Sequence, residues 1–315
     1  MAALSLANGL LCFTMKTIAL HSRPPSNQSV LADVMANPSV VRVLEASALT
    51  YALLLLFAVS AAGRRKVPRT AVVALVLATP VLGPTSALCL FFAASQWREP
   101  KQEEDFRLTM YALAQAMAIL AIFFIVIPQV CQLQVPCANV DAQRLGLEIV
   151  VALLAPMSLL LLTIPASPTL SNIFKAIYLV AYLLIGSLGF ASHTQETGLS
   201  APPAADVVEK VGTDAFGNEF FARIVQDSLA TGASRALLVN FIHLNLACAL
   251  FISECDTMRG AAGITAMAIP FAGPAGSFGF FAGFEKYLQL RKIWQGESVL
   301  AMQAARERER NRDEE

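Results

Sequence analysis

SRALLVNFIHLNLACALFISECD (234–256) and AMAIPFAGPAGSFGFFAGF (266–284) are two consecutive apolar stretches near the C-terminus. Each is long enough to cross a bilayer as a helix, which takes about 20 residues at 1.5 Å per residue. The first carries a polar cluster, Asn240, His243 and Asn245, in an otherwise apolar run. The second contains a Gly-Pro step and a stripe of glycines.

The rest of the chain is of the same kind. Of 315 residues, 56% are hydrophobic and 15% charged, against about a quarter charged in soluble domains. The mean hydropathy is +0.58. The charges gather between apolar runs. Only helices and closed barrels satisfy their backbone groups in lipid, and runs of about 20 residues select helices over barrels. The expected fold is therefore all-α: a polytopic transmembrane bundle of about seven spans, near 44–63, 70–94, 108–128, 145–165, 173–192, 236–254 and 264–284. Residues 1–43 are set apart as a leader, 44–290 form the membrane domain, and 291–315 form a charged tail of alternating Arg and Glu.

The leader has no acidic residue before Asp33, and it carries Lys16, His21, Arg23 and several serines. That composition fits an organelle transit peptide, and it fits equally an interfacial helix that stays on the protein. Within 193–234, Phe220, Phe221, Ile224, Val225 and Leu229 share the spacing of one face of a helix lying on the membrane surface. Seven spans place the termini on opposite sides. They put 15 of the 23 Lys and Arg on the C-terminal side, so the positive-inside rule expects the C-terminus in the cytosol, stroma or matrix. If the leader's apolar run also spans, the count becomes eight and the orientation must be reassigned.

The opening pair has an echo. Residues 30–57 align without a gap on 224–251, with five of 28 positions identical. A four-residue gap then superposes Gly83-Pro84 on Gly273-Pro274. An internal two-span repeat is expected from the shared order of elements. Seven spans would make the two copies inverted, an arrangement common in transporters.

Zero formal net charge and the lack of a basic stripe with spaced aromatics exclude a nucleic-acid partner. The six cysteines are scattered without a CxxC, and only Cys131 and Cys137 share a loop. Neither a metal nor a cofactor is expected, since zinc spacing, a Walker loop and a haem-ligating pair are all missing. Asn240 and His243 fall on one helical face. An ionisable residue within a span is costly and marks a candidate site, but such a side chain also serves as a hydrogen-bonding link between helices. Gly273, Gly276, Gly279 and Gly283 form a stripe free of side chains. It either admits a neighbouring helix or forms a groove for a flat ligand flanked by Phe278, Phe280, Phe281 and Phe284. Glu148, one turn after Arg144, reads as an interfacial i, i+4 pair. Glu45, Tyr51 and Gln115 are polar groups expected to hydrogen-bond within the bundle.

SLATGASRALLVNFIHLNLACALFI and PFAGPAGSFGFF resemble the plant and algal membrane family required for neoxanthin synthesis, the abscisic-acid-deficient type, over about 60 of the 315 residues. His243 matches that family's His, while Cys248 stands where the family's pattern has Asp. The resemblance implies a plastid membrane protein acting on an epoxy-xanthophyll, with a carotenoid partner. His243 would serve as general acid–base, Asn240 would orient it, and Gly273, Gly276, Gly279 and Phe280 would line the substrate. A small-molecule transporter is the alternative class. A third is a structural subunit docked in a membrane complex through the tail.

Overall fold

The computed structural model describes residues 2–21, 38–99, 106–121, 168–196, 232–253 and 261–313, and they are all-helical apart from short connections. The helices are α1 (Ala2–His21), α2 (Pro38–Gly63), α3 (Arg69–Leu82), α4 (Pro84–Gln96), α5 (Phe106–Ala121), α6 (Pro168–Glu196), α7 (Gly232–Ile252) and α8 (Ala261–Asp313). Among the described residues, four stretches are long and apolar enough to cross a membrane: Ala2–His21, Val43–Gly63, Lys175–Thr194 and Gly232–Ile252. The expected span at 145–165, the amphipathic segment at 220–229, the Cys131/Cys137 loop and the Arg144/Glu148 pair lie outside the described residues.

Helix α2 is the centre of the bundle. It packs against α4, α5, α6, α7 and α8, and nearly every side chain from Leu49 to Ala62 is buried. Its sequence has no polar face because protein surrounds it on all sides.

The stretch 70–94, expected as one span, folds differently. The chain breaks at Gly83 (φ 86°, ψ 155°) into α3 and α4, which pack against each other. At 14 and 13 residues, they reach only ~21 and ~20 Å at 1.5 Å per residue, short of the ~30 Å hydrocarbon core. Their outer ends meet. Lys66, just before α3, donates its backbone N–H to the Glu99 carbonyl at 2.8 Å. The Arg65 guanidinium donates to the carbonyls of Gln96 (3.0 Å) and Arg98 (3.1 Å). The pair is a helical hairpin whose two open ends lie together, at what is here called the basic end.

Helix directions follow from cross-contacts. Phe57 pairs with Phe92 and Arg65 reaches Gln96, so α2 and α4 both run toward the basic end. Asn240 meets Thr85 and Phe251 meets Phe92, so α7 runs the same way. Phe278 meets Phe57 and Lys286 meets Ser60, so the part of α8 after Gly273 does too. Since α7 and this later limb of α8 both head for the basic end, residues 261–272 must run back into the bundle between them. Gly273 (φ 68°, ψ 166°) makes the reversal. The expected span 264–284 is thus interrupted at Gly273, and its later limb continues as helix to Asp313.

Two further expectations change. Helix α2 begins at Pro38, so the boundary set at residue 43 cuts through it. Helices α2 and α7, the cores of the two aligned stretches, point in the same direction rather than opposite ones.

Candidate functional site

Residues 2–21, expected to belong to a leader, form a helix of the bundle. Helix α1 packs along α4 and α7. It buries Ser5, Asn8, Gly9, Cys12 and Ala19 and turns Leu4, Leu10, Leu11, Met15, Ile18 and Leu20 outward. Small and polar residues face the protein and large apolar ones face lipid, which is the usual arrangement for a membrane helix. The stripe at positions 5, 8, 9 and 12 was the available signal.

Asn8 is the centre of the polar cluster. Its Nδ2 donates to the His243 carbonyl at 3.1 Å, and its Oδ1 lies 2.5 Å from His243 Nδ1. One amide orientation serves both contacts, so Nδ1 carries the proton and donates. In the neutral ring the lone pair is then on Nε2. Ser5 Oγ donates to the Cys89 carbonyl at 3.1 Å, and Asn8 Nδ2 also lies 3.4 Å from Cys89 Sγ. One helical turn away, Thr85 Oγ1 donates to Asn240 Oδ1 at 2.8 Å. His243 and Asn240 therefore share a buried face, as expected, but each is bonded to a different helix. The arrangement joins α1, α4 and α7 through satisfied hydrogen bonds. Asn245, on the other side of α7, donates to its own helix at the Phe241 carbonyl, 2.7 Å away, and its Oδ1 is buried without a partner.

The glycine stripe lies elsewhere, against α6. A Cβ on Gly279 would sit 2.6 Å from the Gly186 Cα and 2.9 Å from the Tyr182 carbonyl. One on Gly276 would meet Phe190 at 3.2 Å, and one on Gly283 would meet Leu183 at 3.1 Å. The stripe is the contact surface of two helices in backbone contact, so the groove between them is filled. Phe280 points away from it, 62% exposed on the outer surface. The six expected site residues are thus divided among the α1–α4–α7 interface, the α6–α8 interface and the lipid-facing side.

The hairpin tips are buried and each is met by a basic side chain. Lys16 Nζ donates to the Leu82 carbonyl at 3.0 Å, one of the carbonyls that the break in the helix frees, and it also fills the space where a Gly83 side chain would go. His193 occupies the same place at Gly273, its ring 3.1 Å from an added Cβ. Between the hairpins, Phe57, Phe92, Phe251 and Phe278 form one cluster, with Phe92 stacked on Phe251 at 3.8 Å. Among the described residues, no group of three His, Cys, Asp or Glu is placed to hold a metal ion. No family model, curated protein or solved structure matches the chain.

Proposed function

We propose that the chain is a membrane transport protein, in which two like halves, each closed by a re-entrant hairpin, flank a passage for a small solute. The observation that carries this reading is the pair of Gly-Pro hairpins ending inside the bundle. Non-helical backbone at membrane depth is tolerated where it is buried in protein or lines a water-filled cavity. Interrupted helices at the interface of internal repeats are a recurring construction of transporter sites.

Several contacts support an internal repeat wider than the sequence alone suggests, α1–α2–α3/α4 matching α6–α7–α8. An offset of 177 aligns α1 on α6 with Leu6/Leu183, Gly9/Gly186, Leu11/Leu188, Phe13/Phe190 and Thr17/Thr194 identical. The aligned residues meet aligned partners. A Cβ on Gly9 would contact Ser86 and Cys89, and one on Gly186 would contact Gly279, the counterpart of Cys89. Lys16 sits at Gly83 as His193 sits at Gly273. Helix α1 packs on α7 of the other half, and α6 packs on α2. In this reading the repeat is parallel, about an axis along the membrane normal, which transporters also use. Arg64, Arg65, Lys66, Arg98, Lys286, Arg291 and Lys292 gather at the basic end, with Lys16 and Arg235 on the other half of the bundle. The positive-inside rule then puts the basic end, and the exit of α8, in the cytosol, stroma or matrix.

The aromatic cluster closes the space between the halves. Stopped-flow shrinkage of proteoliposomes in urea, glycerol and formate gradients tests the reading. Shrinkage faster than in protein-free vesicles for at least one solute is expected. Rates equal to those of empty vesicles for all of them would overturn it.

A second reading keeps the xanthophyll expectation, as binding in a plastid membrane. It is favoured by the lipid-facing aromatic side chains Phe190, Phe280, Phe284 and Tyr287 on α6 and α8, each more than 40% exposed, a surface on which a polyene can lie. His243 enclosed by Asn8 gives less support to epoxide chemistry than to pigment binding. Purification in mild detergent, followed by an absorption spectrum, decides it. A carotenoid at near-unit stoichiometry is expected on this reading, and a colourless protein eliminates it.

A further inference from the structure

We infer that the basic end is a docking surface for anionic phospholipids, whose phosphate groups are held by Arg and Lys side chains set around the end of the bundle.

The cations come from four helix ends and reach one depth. Lys286 of α8 meets Ser60 of α2. Arg64 lies four residues beyond Ser60, and Arg291 lies five beyond Lys286 on a helix running the same way. Both therefore stand ~6–8 Å past that contact at 1.5 Å per residue. Arg98, after α4, joins them there, because the Arg65 guanidinium donates to its carbonyl. Helix α6 runs opposite to the later limb of α8, since Gly186 meets Gly279 and Tyr178 meets Lys286. Lys175, nearly one turn before Tyr178, is thereby carried to the same end.

These charges are available to a partner. Arg64, Arg98, Arg291 and Lys292 are exposed, and Lys175 is half-buried. None of the five forms an ion pair among the described residues. Of the acids nearby, Glu99 is paired with Lys66, and Glu285 is enclosed and bonded to Gln289. Glu103, Glu104 and Asp105, in the connection after α4, lie outside the described residues. At the far end of the bundle, Lys16 is turned inward to the Leu82 carbonyl.

The aromatic residues identify the partner as a leaflet. Both tryptophans of the chain lie at this end: Trp97, beside Arg98, is 66% exposed, and Trp294, two residues after Lys292, is 52% exposed. Exposed Trp side chains at the end of a spanning bundle settle at the headgroup level. Cations and aromatic anchors spread around a bundle at one depth match a planar layer of headgroups, whereas a folded acidic partner would need them gathered in one footprint. A guanidinium presents paired N–H groups that fit a phosphate. Near an anionic membrane surface each Lys or Arg strengthens binding about fivefold.

The two tryptophans are built-in reporters for the test. The full chain is reconstituted in phosphatidylcholine vesicles containing brominated phosphatidylglycerol or, in a parallel series, brominated phosphatidylcholine, and tryptophan quenching is followed. Phosphatidylglycerol should be preferred over phosphatidylcholine by at least about fivefold, and the preference should shrink in about 0.5 M NaCl. Trp97→Phe and Trp294→Phe, each of which leaves one reporter, should both keep it. Replacing Arg64, Arg98, Arg291 and Lys292 together by Gln should abolish it without lowering the unfolding midpoint, because all four side chains are exposed. Equal quenching by the two lipids in the wild type overturns the inference and leaves the cations for an acidic protein surface. A preference seen by one tryptophan alone, or one that survives in the folded quadruple variant, overturns it as well. Millimolar inorganic phosphate should leave the preference intact. Its loss would make this a site for free phosphate and not for a leaflet.

Discussion

Asn8 makes two reciprocal bonds to His243, one to the ring and one to the backbone. Asn8→Ala leaves the His243 Nδ1–H without its partner and removes a second bond to a carbonyl that already accepts within α7. Interhelical hydrogen bonds in membranes contribute about 1–2 kcal/mol at the upper end, so a loss of about that size is expected, read as a lower unfolding midpoint in detergent. A His243→Ala change should add little on top of it, because the two act as a unit. If the two losses are additive, the contact is not a lock. Steric substitutions on α8 give a second check. Gly279→Leu forces α6 and α8 apart against backbone atoms and should cost about 1–3 kcal/mol, as overpacking does. Gly296→Ala has nothing within 4 Å and should not lower the midpoint, since Ala is the better helix former. His243 and Asn240 are legible in the sequence as buried polar residues on one face. Their partners are not, because Asn8 and Thr85 lie 235 and 155 residues away, and a helical period carries no information at that range. Asn8 itself falls in a segment whose leader-like composition concealed its small-and-polar stripe.

At the scale of elements, the two hairpins decide the architecture. A run of 25 apolar residues at 70–94 is long enough for one span, and length and hydropathy do not distinguish one crossing helix from two half-length ones. The Gly-Pro step is the signal in both cases, since a bend and a reversal begin from the same residues. The backbone at Gly83 and Gly273, with positive φ and ψ near 160°, is a region that only glycine occupies readily. Pro84 follows at the first position of α4, where its missing N–H is harmless. Gly83→Ala and Gly273→Ala should each destabilise the protein by about 1–3 kcal/mol, and a flux assay should show both hairpins contributing. If either substitution is silent in the unfolding midpoint, that tip does not carry the strained backbone. Lys16→Met removes the donor to the Leu82 carbonyl while keeping most of the side-chain volume. It is expected to lower the midpoint less than Gly83→Ala does, because the freed carbonyl keeps its place in the hairpin.

For the whole molecule, composition and charge segregation make the all-helical membrane class legible from the sequence alone. The number and direction of crossings are not. A stretch that breaks in the middle has the same length and hydropathy as one that crosses, so the direction of the helices after it is not read from the sequence. Helices α2 and α7 run side by side toward the basic end, and the aromatic cluster of Phe57, Phe92, Phe251 and Phe278 joins them to α4 and α8. The direct measurement is sidedness of labelling in sealed, oriented vesicles. Thr70→Cys, at the start of α3, and Trp97→Cys, after the end of α4, are placed singly in a cysteine-free background and exposed to a membrane-impermeant thiol reagent. Both positions should be labelled from the same side of the membrane. Labelling from opposite sides would make 70–94 a crossing span and contradict the hairpin architecture.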